Sequence, residues 1–127
     1  MHVQIKSILN FPSMYSQLKN QQMSIKTAYK LSKLTQEIEN ELVFYYEKIQ
    51  EIINKYAVLD ESGKAVTTEN GNGVKLRPET QEVCYNEVQE LQEMEITLPE
   101  ISFTLDELEK LELTPAQVAE IMPFIIE

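Results

Sequence analysis

One histidine (His2), one cysteine (Cys84) and one arginine (Arg77) are all that this 127-residue chain holds of three chemically versatile side chains. A Ser-His or Cys-His nucleophile pair therefore has almost no material, the more so because His2 sits at a terminus expected to be mobile. A zinc site fares no better with a single Cys and a single His. One cysteine cannot close an internal disulfide, which fits a reducing compartment. The di-iron helix motif needs Glu-x-x-His, which is absent. No catalytic residue, metal or cofactor is expected, and the chain is not expected to be an enzyme.

Long apolar runs are also missing. The longest in the helical region, "LVFYY" from Leu42 to Tyr46, falls far short of the ~20 residues a spanning helix needs. The opening "MHVQIKSILNFPSMYSQ" lacks the charged-then-apolar layout of a secretory signal, so a cytoplasmic location is expected. Glycine is scarce too: Gly63, Gly71 and Gly73 are the only three, all inside "DESGKAVTTENGNGVKLRP". A phosphate loop would need G-x-x-x-x-G-K-[ST] opening a helix, whereas Gly73 leads into Val-Lys-Leu. An EF-hand fails because Lys64 stands where an oxygen ligand is wanted. A turn remains: Lys64 to Thr68 and Gly73 to Leu76 read as the arms of a small hairpin about the Asn70-Gly71 dipeptide.

Charge is missing by region. Residues 1–36 contain five lysines and no acid, whereas residues 79–127 contain thirteen acids and one base, Lys110, within a net charge of -10. Phosphate-driven affinity needs clustered Lys and Arg, so DNA is not an expected partner.

What is present is helical periodicity. After Ser24, a good N-cap, apolar residues recur at Leu31, Leu34, Ile38, Leu42, Tyr45, Ile49, Ile52 and Tyr56, the steps of one long amphipathic helix. Val43, Phe44, Tyr46 and Ile53 are expected to widen its buried face. A second helix from Pro78, with Cys84, Val88 and Leu91 inside, should lie antiparallel to the first. A short helix is expected from Pro12 to about Asn20. In "FTLDEL" and "LTPAQV", Thr104 with Glu107 and Thr114 with Gln117 form two capping boxes, predicting helices over Leu105–Leu111 and Pro115–Met122. "MEITLPEISF" before them reads as extended. The fold class is mainly α with a small β-hairpin (α+β), a single domain over 1–127 with the hairpin near 64–76 and an acidic C-terminal subregion over 95–127.

Two charged groups are candidate sites. Lys26, Lys30 and Lys33 share a helix face with Tyr29, and the first lies in the opening turn, where the macrodipole disfavours cations. They either pair with acids of the C-terminal half or form an anion site for a nucleotide; abundant acids favour pairing. Glu87, Glu90, Glu93 and Glu95 read as a solvated acidic face rather than as metal or general-acid carboxylates, and Glu87, Glu90, Glu93, Asp106, Glu107 and Glu109 as a surface able to meet a basic protein partner. Cys84 lies on an apolar stripe and reads as a small buried hydrophobe.

With "SIKTAYKLSKL", "EIENEL", Tyr56 followed by "DESGK", and the ending "ELTPAQVAEIMPFIIE", the chain resembles a family of short proteins encoded by phages and prophages of low-GC Gram-positive bacteria. The likeness spans nearly the whole length, but its motifs are helix, turn and cap signals with no active-site residues to carry over. It implies a small phage protein made inside a bacterial cell. The expected function is a non-enzymatic accessory protein that binds and inhibits or modulates a host or anti-phage defence protein through its acidic C-terminal half. The alternatives are a sponge for an anionic signalling nucleotide at the lysines and a virion-assembly chaperone or connector. A homodimer is expected to cover Phe44 and Tyr46, and no membrane partner is foreseen.

Overall fold

The computed structural model describes residues 1–68 and 73–126, so the expected Asn70-Gly71 turn lies outside the described residues. In chain order the elements are β1 (His2–Gln4), α1 (Phe11–Leu18), α2 (Ile25–Tyr56), α3 (Gln81–Gln92), β2 (Glu95–Thr97), β3 (Phe103–Thr104), α4 (Leu105–Leu108), α5 (Pro115–Ile121) and β4 (Ile125–Ile126). Short 3₁₀ turns at Ile5–Ser7, Pro78–Thr80 and Met122–Phe124 complete the regular structure. The fold is α+β and mostly helical, as the periodicity requires. It divides into two compact units: Met1–Leu42 with Glu95–Glu127, and Val43–Met94.

In the first unit, Leu31, Leu34, Ile38 and Leu42 of α2 are buried at the three-and-four spacing of one helix face. Phe11, Met14 and Leu18 of α1 join them, and Leu98, Phe103, Leu108, Ile121 and Phe124 supply the C-terminal share of the core. Phe11 and Phe124 meet edge to face, with ring centroids 5.5 Å apart and planes at 77°. Both capping boxes form, the Thr104 and Thr114 hydroxyls accepting from the backbone N–H of Glu107 and Gln117. The first helix is shorter than its pattern predicts. It ends at Leu108, and the chain turns before reaching the extended backbone that Thr114 adopts as a cap (φ -75°, ψ 160°).

The N-terminus departs from expectation. His2 is not a loose end: β1 pairs antiparallel with β2, His2 opposite Thr97, and the Thr97 hydroxyl lies 3.2 Å from His2 Nδ1. The Met1 ammonium donates to the Leu98 carbonyl at 3.1 Å. A strand of three residues carries too little pattern to be read, and its partner lies some 95 positions away, so only tertiary pairing ties it down. The extended reading of the stretch after Met94 holds, with β2 on β1 and β3 parallel to β4.

In the second unit, three hydrogen bonds connect α2 to the segment from Thr80 to Gln92. Gln92 Nε2 donates to the Tyr45 hydroxyl (3.1 Å), Lys55 Nζ to Glu87 (3.3 Å) and the Thr80 hydroxyl to the Tyr56 carbonyl (3.5 Å). Rising numbers on α2 meet falling numbers on α3, so the helices are antiparallel. Of the five consecutive apolar and aromatic residues from Leu42 to Tyr46, Val43, Phe44 and Tyr46 are exposed, which corrects the expectation that they widen the buried face. Consecutive helical positions turn by ~100°, and a single antiparallel neighbour covers only the side holding Tyr45.

The loop between these helices closes on itself. Ala57 bridges Leu76, Leu59 bridges Ala65, and Thr67 bridges Val74, all antiparallel. Val66 N donates to Val58 O (2.8 Å), Lys75 N to Val66 O (2.7 Å) and Val58 N to Lys75 O (2.8 Å). Among the described residues each arm thus pairs with both others. Two of the three arms are legible as a hairpin; the one after Tyr56 is not. Gly63 supplies the positive φ of +83° at the first turn. Asp60 Oδ1 accepts there from the Ser62 N–H and hydroxyl and from Lys64 N–H, and these bonds, the Ser62 hydroxyl first, hold its carboxyl below the usual range.

Candidate functional site

The three candidate lysines near the start of α2 part company in the fold. Lys30 Nζ donates to both oxygens of Glu107 (3.0 and 2.9 Å) and to the Ser102 carbonyl (2.9 Å), and lies 5.7 Å from the centre of the Phe103 ring. Glu107 also accepts from Thr104 N–H at 3.2 Å, so the cap of α4 and the ion pair share one carboxylate. Lys30 first, then the Thr104 backbone, hold the Glu107 carboxyl below the ordinary glutamate range. Beneath this pair Ser24 caps α2 by accepting from Thr27 N–H, and the buried Thr27 hydroxyl donates to the Glu107 carbonyl. Lys26, Tyr29 and Lys33 remain exposed, with no ion pair among the described residues.

The six acids separate likewise. Glu107 is committed to Lys30. Glu87 is half-buried and paired with Lys55; the nearby Tyr56 hydroxyl, then Lys55, lower its pKa, although Glu87 Oε2 is buried and closes no hydrogen bond. Tyr56 first, then Glu87, raise that of Lys55. Glu90, Glu93, Asp106 and Glu109 are exposed and make no ion pair among the described residues.

Two of the free acids border an apolar groove of about 420 Å³ between α4 and α5. Leu105, Leu113, Val118 and Ile125 line it, with Asp106 and Glu109 on the same wall. Leu105 is 63% exposed, a large apolar side chain in solvent directly beside a carboxylate. A groove of similar size in the second unit is lined by Phe44, Ile52, Leu91 and Met94 with Glu87 and Glu90, but there Lys48 lies against the Phe44 ring and Lys55 holds Glu87. Among the described residues the α4–α5 groove thus has two carboxylates without an ion pair beside exposed apolar surface, where the second groove has one, Glu90. The α4–α5 groove suits a ligand that is apolar on one side and cationic at its margins.

Cys84 is buried, and desolvation, with the charge of Glu87, pushes its thiol pKa up, against a reactive thiolate. Among the described residues no group of three or more His, Cys, Asp or Glu is placed to hold a metal ion, and no helix is long and apolar enough to cross a membrane.

Sequence reasoning found Asp106 and Glu109 but not the groove they border. Leu105 and Val118 belong to different helices, and their shared wall exists only once the two capped turns pack. Comparison with protein-family models, curated proteins and solved structures finds no match to this chain.

Proposed function

We propose that the protein is a non-enzymatic accessory module of phage origin that binds a host or anti-phage defence protein through the acidic C-terminal part of its first unit, and so inhibits or modulates it. The observation that carries this reading is the apolar α4–α5 groove with Asp106 and Glu109 beside it, neither in an ion pair among the described residues. The partner offers a basic amphipathic segment: apolar side chains enter the groove while lysines or arginines meet the two carboxylates. Such a surface speeds encounter with proteins whose basic face otherwise meets nucleic acid. The nucleotide reading has less behind it, because Lys30 is already saturated by Glu107 and Ser102.

The test is a pull-down from host lysate with the wild-type protein and an Asp106→Lys/Glu109→Lys variant, at low and high salt. A specific partner is expected with the wild type at low salt, weakening as salt rises and lost in the variant. Capture that ignores both salt and the substitutions would overturn the reading.

A further inference from the structure

The first turns of α2 present the kind of surface that the α4–α5 groove suits. Ile25 is 89% exposed and Tyr29 64% exposed, one turn apart, and Lys26 and Lys33 border them along one side. This is a short basic amphipathic stripe at the N-terminal end of a 32-residue helix. It cannot enter the groove of its own chain. Thr27 and Lys30 are the residues of α2 that bond Glu107 on α4, and at ~100° per residue Ile25 and Tyr29 point about 160–200° away from Thr27. The stripe and the groove therefore face different directions on one unit.

We infer that a second copy of this chain covers the groove: Ile25 and Tyr29 of one copy enter between α4 and α5 of the other, with Lys26 and Lys33 against Asp106 and Glu109. The contact is made reciprocally, which closes a two-fold dimer and removes both exposed apolar surfaces at once. Charge decides for this surface over the Phe44 and Tyr46 patch of the second unit, where the sequence alone places a dimer. Phe44 already carries Lys48 on its ring at 5.6 Å, whereas Lys26 and Lys33 on the stripe and Asp106 and Glu109 at the groove are of opposite sign and make no ion pair among the described residues. The inference rests on the groove being a binding surface, as the proposed function does, and makes the second copy the occupant that an outside partner displaces.

Charge reversal with mixing tests it. A Lys26→Glu/Lys33→Glu variant has an acidic stripe and an acidic groove, and an Asp106→Lys/Glu109→Lys variant has both basic. All four positions are exposed, so circular dichroism is expected to show an unchanged fold. Light scattering at high micromolar concentration and low salt should give a dimer for the wild type and about tenfold or more weaker association for each variant alone, with dimers returning when the two are mixed. General repulsion from net charge predicts something different: the lysine-substituted variant, nearer neutrality, would associate more than the wild type. A monomeric wild type, or variants that fail to recover on mixing, overturns the inference. Fluorescence anisotropy with a labelled Leu/Lys amphipathic peptide separates it from the proposed function. Peptide binding by a monomeric wild type leaves the groove reading standing and the dimer refuted; a dimer whose groove takes no peptide even when dilute leaves the self-contact standing and refutes the outside basic partner.

Discussion

The two units differ in how much of their apolar sequence they seal from water. In the first, Ile5, Ile8, Phe11, Leu18, Phe103, Ile121 and Phe124 are sealed from water, and the segments that seal them come from both ends of the chain. In the second, Tyr45, Tyr56, Ala57 and Cys84 are buried, while Val43, Phe44, Tyr46, Leu59, Val83 and Tyr85 remain exposed. The difference is one of neighbours. Two antiparallel helices and a small closed loop each offer one covering face, whereas the first unit wraps α2 with α1 and with the C-terminal helices. Interior apolar surface then contributes ~25 cal/mol per Å² in the first unit and much less of it is available in the second.

The largest effect expected from this contrast is at Phe124. Phe124→Ala removes one partner of the Phe11 edge contact from a sealed core and should cost about 3–5 kcal/mol in urea unfolding, whereas Cys84→Ala in the second unit should cost about 1 kcal/mol. Equal losses would erase the distinction between the two cores.

Next comes the Lys30–Glu107 pair. Lys30→Met strands a half-buried carboxylate and should destabilise by about 2 kcal/mol. The folded-state pKa of Glu107 is depressed, so the stability it contributes is present above the unfolded glutamate pKa and is lost as pH falls through the lower folded value. Melting temperature followed from roughly pH 5 to pH 2 should therefore fall less steeply in Lys30→Met than in the wild type. An unchanged acid slope would mean that the pair is not what lowers Glu107.

A smaller change, about 1 kcal/mol, is expected for Gly63→Ala, because an alanine resists φ of +83° even though open space surrounds the position. Its effect should be confined to the second unit. Hydrogen exchange provides the readout: amides of Val58, Val66 and Lys75 should exchange faster in the variant while those of Leu34 and Ile38 are unaltered, and in the wild type the loop amides should already exchange first. Uniform acceleration across both units would show one cooperative block instead.

Phe44→Glu should do least, within about 0.5 kcal/mol, since the side chain is 43% exposed. Light scattering should also find its self-association unchanged. A dimer lost in this variant would move the interface from the first unit to the second.

Local signals accounted for much of the architecture. The stripe from Leu31 to Tyr56 is legible because a helix repeats its buried face every three or four residues. Thr104 with Glu107 and Thr114 with Gln117 are legible because a capping box lies within four consecutive positions. The acids at Asp106 and Glu109 and the lysines at 26, 30 and 33 could be named for the same reason. Their fates could not: whether a lysine meets a carboxylate 77 positions away depends on which face of α2 turns toward α4, and only Lys30 does.

The amino-acid sequence by itself determined the helices, their caps, the loop that needs glycine, and the split between a basic beginning and an acidic end, all of which act over a few residues or by composition. The tertiary structure alone decided that His2 joins a strand, that Phe44 and Tyr46 stay in water, that three arms close into a ring, and that Asp106 and Glu109 flank an apolar groove instead of a plain solvated face. Each of these depends on which distant segment arrives to cover a surface, and burial is shared between segments that carry no record of one another in their local pattern.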